Sequence, residues 1–193
     1  MKTLPELRIK ELQAFAFDVD GVLFPNENWW FSDGTYARRR SLYDGQAISL
    51  LRAAGLRIAF VTSARGEMVK PITDLINGWN RLPSTQSTIN PAGWPPVMLF
   101  DHQDSQKKKE TVSLWLNDIG ISHEHCGAMG DDLVDIPMLE SVGFAASPIQ
   151  SEQLVKDYCH FVSTREAGSG AIRDVVNYVL KVKGIDPLSL NLR

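Results

Sequence analysis

The segment Phe15-Ala16-Phe17-Asp18-Val19-Asp20-Gly21 constrains the fold of this chain more than any other. Its apolar lead-in has the composition of a strand buried on both faces. It runs straight into a carboxylate, a second carboxylate and a glycine able to turn the backbone. Two acids therefore stand at one strand tip. Like charges this close are unfavourable unless a cation or a proton is shared between them, so Asp18 and Asp20 call for a divalent metal or for carboxyl groups of unequal acidity. A surface turn rich in aspartate is the competing reading, and the apolar approach argues against it.

With 193 residues, 44% of them hydrophobic, the chain can fill one core but is short for two full domains, and it reads as a single domain over residues 1–193. A net charge of −3 and a pI near 5.8 give no reason to expect nucleic acid or an anionic membrane surface as partner. Cys126 and Cys159 form no disulfide framework, and each lies in an apolar segment, which suits a reducing compartment. The N-terminal residues carry no apolar signal core and no run has the length of a membrane span, so a cytoplasmic protein is expected.

Strand-like and helix-like segments alternate after Asp20. Residues 22–43, rich in Trp, Phe and Tyr and broken by Ser32-Asp33-Gly34, read as a projecting β-hairpin. A helix follows from Asp44 to the stop at Gly55, then a buried strand Arg57 to Thr62, then a helix Gly66 to Asn77 with Pro71 in its first turn. Residues 78–96, mixing prolines and tryptophans with Ser, Thr and Asn, read as an irregular insertion with packed aromatic anchors. A third strand covers Pro96 to Asp101, a helix Ser105 to Ile119 opens on Lys107-Lys108-Lys109, and Cys126 to Met129 form a strand leading into Gly130-Asp131-Asp132-Leu133-Val134-Asp135. A short helix Ile136 to Val142, short strands at Phe144 to Ala146 and His160 to Ser163, and a last helix from Ala171 complete the chain.

This order defines an α/β fold, a doubly wound Rossmann-like parallel sheet with helices on both faces. Its strand tips open on one edge, and the crevice where strand order reverses is the binding site. Asp18, Asp20, Thr62 and Asp131 can converge there with an ammonium group from the lysine triplet. Carboxylates for a hard cation, a hydroxyl and an ammonium together suit a phosphoryl group.

At these residues the chain resembles the haloacid dehalogenase (HAD) superfamily of phosphotransferases. The segments Asp18-Val19-Asp20-Gly21-Val22-Leu23, Val61-Thr62, the lysine at the helix start and Gly130 to Asp135 match its four motifs in order. More narrowly it is similar to the small phosphatases without a cap domain that act on eight- or nine-carbon sugar acids. The length of the hairpin, Ile136-Pro137 and Gly168-Ser169-Gly170-Ala171-Ile172-Arg173-Asp174 support this. The resemblance implies a Mg²⁺-dependent phosphomonoester hydrolase acting through an aspartyl-phosphate on an octulosonate- or nonulosonate-type substrate, in a lipopolysaccharide or sialic-acid-like pathway. Asp18 is then the nucleophile and Asp20 the general acid and base. Asp18, Asp131 and the main-chain carbonyl of Asp20 hold Mg²⁺. Thr62 and the N–H groups of Ser63 and Gly21 bind phosphoryl oxygens. Arg65 stands close to the family's substrate arginine, and Asp132 and Asp135 are supporting carboxylates. Gap-free counting favours Lys108 as the active-site lysine and keeps Lys109 open. The resemblance further implies a tetramer through the hairpin, where Trp29, Trp30, Phe31 and Tyr36 would be covered.

Some residues depart from the pattern. Phe24-Pro25-Asn26 replaces a Thr/Ser-Asp-Gly segment, Tyr43 stands where an arginine is common, and Ser63 replaces a glycine. Two rival classes use related parts: a phosphoaccepting receiver-like signalling domain, which has no need of Asp20 for proton transfer, and a non-catalytic binding relative. His123-x-His125-Cys126 lacks a second ligand pair and reads as a loop-to-strand junction rather than a zinc site.

Overall fold

The computed structural model describes residues 6–85 and 93–190. Helix α1 (Glu6–Lys10) leads into β1 (Ala14–Phe17), followed by the short strands β2 (Trp29–Trp30) and β3 (Tyr36–Ala37), helix α2 (Leu42–Ala53) and β4 (Arg57–Val61). A 3₁₀ turn (Gly66–Val69) runs into α3 (Lys70–Asn80), and β5 (Val97–Phe100), α4 (Ser105–Asp118) and β6 (Cys126–Met129) come next. The chain ends with α5 (Ile136–Ser141), β7 (Phe144–Ser147), α6 (Gln153–Tyr158), β8 (Phe161–Val162) and α7 (Ala171–Lys183).

Six strands form a parallel sheet in the order β5-β4-β1-β6-β7-β8. From β1 the chain builds outward through β4 to β5 and then crosses to β6 on the other side, so strand order reverses between β1 and β6. Phe17 pairs in register with Met129, which brings the two strand tips level at that crevice.

The strands alternate large and small side chains, and this sorts the core into two layers. Phe15, Phe17, Ile58, Phe60, Met129 and Phe144 face α2, α3 and α7. On the other face Ala14, Ala16, Ala59, Ala128 and Ala145 leave room for Val112 and Leu116 of α4 and for Met138 and Leu139 of α5 to approach the sheet. Phe15 stacks on Phe17 at 4.5 Å and Phe17 on Phe60 at 5.5 Å. A side chain at Gly127 would meet the Phe15 ring at 2.5 Å, so β6 stays narrow where it passes that stack.

Most elements fall where the sequence places them. Pro71 does sit in the first turn of α3, where it forfeits no helical hydrogen bond. The hairpin is shorter than expected. Only Trp29 to Ala37 project as paired strands, whereas Val22, Leu23 and Phe24 are buried in the core. In the region read as an irregular insertion, α3 continues to Asn80 and a 3₁₀ turn forms at Pro83–Thr85, while residues 86–92 lie outside the described residues. The expected anchors are present. Arg52, 1% exposed, donates to the carbonyls of Pro95 (2.7 Å) and Trp79 (3.1 Å) and to the Thr85 hydroxyl (2.7 Å). Its guanidinium lies 5.4 Å from the Trp94 ring, and Asn80 exchanges side-chain hydrogen bonds with Val97 N and O. His123–His125 form a 3₁₀ turn at the start of β6, as a loop-to-strand junction would. Among the described residues no helix is long and apolar enough to cross a membrane.

Candidate active site

The β1–β6 pairing continues one residue past the end of β1, with Asp18 N donating to Met129 O at 2.9 Å. That step carries Asp18 and Asp131, each 4% exposed, to the mouth of the crevice. Lys108 enters from the first turn of α4, which Asp104 caps by accepting from Lys107 N at 3.2 Å. Its ammonium, 1% exposed, donates to Asp18 Oδ1 and to Asp135 Oδ1, both at 2.7 Å. Lys109, on the far side of the same turn, is exposed, and its carbonyl accepts the Ser113 hydroxyl. Of the two lysines left open by the sequence, Lys108 is therefore the one that reaches the acids.

Oxygens of Asp18, Asp131 and Asp135 lie within 4.8 Å of one another. Asp135 is saturated: Oδ1 takes Lys108, while Oδ2 accepts the N–H groups of Asp131 (3.0 Å) and Asp132 (3.2 Å). Asp131 is different. Its Oδ2 accepts from Asn26 Nδ2 at 2.7 Å, but its Oδ1 is buried with no partner. Burial, with Asp135 adding to it, pushes the Asp18 carboxyl up to about 8. Burial and then Asp135 push Asp131 up to about 7. Burial alone would lower Lys108, but Asp18 and Asp135 hold it above the usual lysine range, so it stays an ammonium. One ammonium faces three carboxylates. The orphaned Asp131 oxygen and the surplus of hard oxygen donors fit a divalent cation bound by Asp18 and Asp131.

Asp20 points away from this cluster. It pairs with the Arg38 guanidinium and receives a long hydrogen bond, 3.4 Å, from the Thr62 hydroxyl, which itself accepts from Ala64 N at 3.0 Å. Exposed Ser63 and Arg65 line a cleft of about 240 Å³ together with Asp20, Asn26, Asn28 and Arg38. Asp132 is exposed and caps the turn at Leu133–Asp135.

One expectation changes. The Gly21 N–H, expected on a phosphoryl oxygen, instead donates to Phe24 O at 2.7 Å, because Val19 to Phe24 close on themselves as a tight turn. Asp135 sits as a supporting acid would, shared between Lys108 and the N–H groups of the acidic loop. Asn26, Arg38 and Gln150 went unread. Gln150 Nε2 donates to Gly21 O at 2.9 Å and its Oε1 accepts Ala167 N at 3.0 Å, which ties the turn to the C-terminal loop. Asn26 had shown itself only as a departure from the family's pattern, nothing separates Arg38 from Arg39 and Arg40 in sequence, and Gln150 becomes a neighbour only through tertiary structure.

A parallel sheet with acids at its switch point and a buried lysine between them defines a class, and residues 82–175 match the family model of haloacid dehalogenase-like hydrolases. The chain is thus similar to haloacid dehalogenase-like hydrolases, and the proteins it resembles over most of its length are phosphatases. Among curated proteins it is similar to 3-deoxy-D-manno-octulosonate 8-phosphate phosphatase KdsC of Salmonella typhi, 22% identical over 177 residues, covering 92% of this chain and 84% of that protein. The Yersinia pestis KdsC is likewise 22% identical, over 187 residues, with 95% and 89% covered. Among solved structures, the Moraxella catarrhalis phosphatase in complex with magnesium, phosphate and KDO superposes with a TM-score of 0.73 at 25% identity, covering 93% of this chain and 91% of that one. The cobalt-bound Haemophilus influenzae enzyme gives 0.72 at 21% identity, with 92% of each chain covered.

Proposed function

We propose that this chain is a Mg²⁺-dependent phosphomonoester hydrolase that works through an aspartyl-phosphate on Asp18, with a phosphorylated sugar acid of the octulosonate or nonulosonate type as substrate. The observation that carries the reading is the Lys108 ammonium held at 2.7 Å from both Asp18 and Asp135, beside an Asp131 oxygen that has no partner. A carboxylate kept next to one buried ammonium and beside a second acid able to share a cation with it is what a nucleophile for a phosphoryl dianion needs. The names of its relatives supply the substrate class.

When bound, the cation offsets charge on the phosphoryl oxygens and on Asp18, so that the two anions can approach. An Asp18 oxygen attacks phosphorus, the bond from phosphorus to the ester oxygen breaks, and Asp20 gives that oxygen a proton. Asp20 then takes a proton from water, whose oxygen attacks the same phosphorus. The bond to Asp18 breaks, inorganic phosphate leaves and both carboxyl groups return to their starting states. Lys108 holds the Asp18 carboxylate in line, and Thr62, Ser63 and Arg65 offer donors to the phosphoryl oxygens. Asp132 and Asp135 support the loop that carries Asp131. We further propose a single-domain cytoplasmic enzyme that assembles as a tetramer through the hairpin.

Asp18→Asn removes the nucleophile, so turnover of an eight-carbon sugar acid phosphate is expected to fall at least about 10³-fold. Chelation of divalent ions should abolish phosphate release and added Mg²⁺ restore it. Robust phosphate release by the Asn variant would exclude the covalent route.

A further inference from the structure

Arg38 stands out among the groups that the chemistry above does not use. Its side chain is 4% exposed, and its guanidinium carbon sits 4.3 Å from the Phe24 ring centre. One nitrogen, Nη2, pairs with Asp20, while Nε and Nη1 are buried without a partner. Burial of a cation with two of its three nitrogens unmatched is unfavourable. Asn28 Oδ1, on the wall of the same cleft, is also buried and unpartnered.

The position of Arg38 is as informative as its bonding. It lines the cleft of about 240 Å³ that holds Asp20, Ser63 and Arg65. It also lines a second cleft of about 530 Å³ between the hairpin and the start of α3, where Tyr36 OH donates to Glu67 O at 3.3 Å. Arg38 is the one side chain common to the two linings. The first cleft is smaller than the 300–1,000 Å³ usual for small-molecule sites and the second falls within that range. A phosphoryl group in the first therefore leaves its organic part to pass Arg38 and enter the second. In that second cleft Lys70 is already paired with Asp74 at 2.8 Å, so among the described residues Arg40 and the unmatched Nε and Nη1 of Arg38 remain as its cationic donors.

We propose that Arg38 is a specificity-determining residue that binds a carboxylate on the leaving group of the substrate, and that the cleft between the hairpin and α3 is the subsite for that leaving group. Unmatched N–H donors of a guanidinium suit a carboxylate, and the spare Asn28 oxygen on the wall of the same cleft suits a hydroxyl, so the lining is matched to a hydroxy acid. This rests on the phosphatase reading and adds to it the residue that selects the acid.

The test compares Arg38→Gln and Arg38→Lys with the parent on three esters: an eight-carbon ulosonic acid 8-phosphate, its analogue with the carboxylate reduced to an alcohol, and fructose 1,6-bisphosphate. Circular dichroism and thermal melts confirm that each variant is folded. The parent should prefer the acid, and Arg38→Gln should shrink the ratio of kcat/KM for the acid over its alcohol analogue roughly 10- to 100-fold, mostly through KM. Arg38→Lys, which keeps the charge, should recover part of that ratio. An equal loss on all esters would mean that Arg38 only braces Asp20 and would overturn the proposal, as would a parent that prefers the bisphosphate to the acid. A parent that turns over the esters without discriminating removes the Arg38 assignment and leaves the phosphatase intact. A parent that releases phosphate from none removes both.

Discussion

A methyl group at Gly21 would sit 2.0 Å from Asp131 Oδ2, on a backbone whose φ of +84° already disfavours any L side chain. Both problems arise at one atom, so relaxing the turn displaces the acid that offers the cation its free oxygen. Gly21→Ala should therefore lower the stabilisation that Mg²⁺ gives and cost activity together, which a thermal-shift titration beside a phosphate-release assay would show. The same acids set a pH dependence. Folding raises Asp18 to about 8 and Asp131 to about 7 from 3.8, so above about pH 4 the folded metal-free chain retains protons that the unfolded chain has lost. Stability of the metal-free protein must then fall as pH rises through that window. A cation displaces those protons, so the increase in melting temperature on adding excess Mg²⁺ should grow between about pH 6 and about pH 8. A Mg²⁺ effect that does not vary with pH would count against Asp18 and Asp131 as the ligands.

At the scale of elements, two loops are fixed by single buried side chains. Asp44, fully buried near the start of α2, accepts Gly170 N at 3.1 Å and Arg173 N at 2.9 Å and so clamps the start of α7. Arg52, near the end of the same helix, gathers Trp79, Thr85 and Pro95, and its burial lowers it to about 10. Arg52→Ala would strand two carbonyls and the Trp94 face, so a loss of roughly 2–4 kcal/mol in denaturant unfolding is expected. Because these contacts lie at the sheet end opposite Asp18, the folded variant should keep its kcat.

The sequence carried much of this at element scale, for physical reasons that differ from place to place. The apolar runs ending in Asp18, Thr62 and Asp131 were readable because a strand buried on both faces leaves no polar residue until it exits the sheet. The β-branched and Leu spacing of α7 gave its inner face in the same way. Helix α6 was missed because only Val155 of it is buried. The overestimate of the hairpin came from Val22, Leu23 and Phe24, which look like strand residues and serve as core beneath a turn. The partners of the site that escaped, Asn26, Arg38 and Gln150, lie on turns and loops, where no periodicity marks which side chain folds inward.

For the whole molecule, the parallel order β5-β4-β1-β6-β7-β8 leaves one edge rich in acids and bases and one small sheet, β2 with β3, standing apart from the core. That small sheet is anomalous in composition. Trp29, Trp30 and Phe31 are 61%, 65% and 53% exposed, and among the described residues Trp30 has only Tyr36 as a ring partner, at 5.2 Å. A two-stranded ribbon of this length has no interior of its own, and a contiguous run of large aromatic side chains on it is the kind of surface that proteins cover. The tetramer proposed above would cover that surface. Light scattering of the parent should then give a mass several times 21.5 kDa. The double change Trp29→Ser and Trp30→Ser, which touches no buried contact of the sheet, should shift that mass toward the protomer while leaving the far-ultraviolet spectrum as it was. A parent that runs as a monomer would leave these aromatics as simple surface residues and require the substrate site to be complete within one chain.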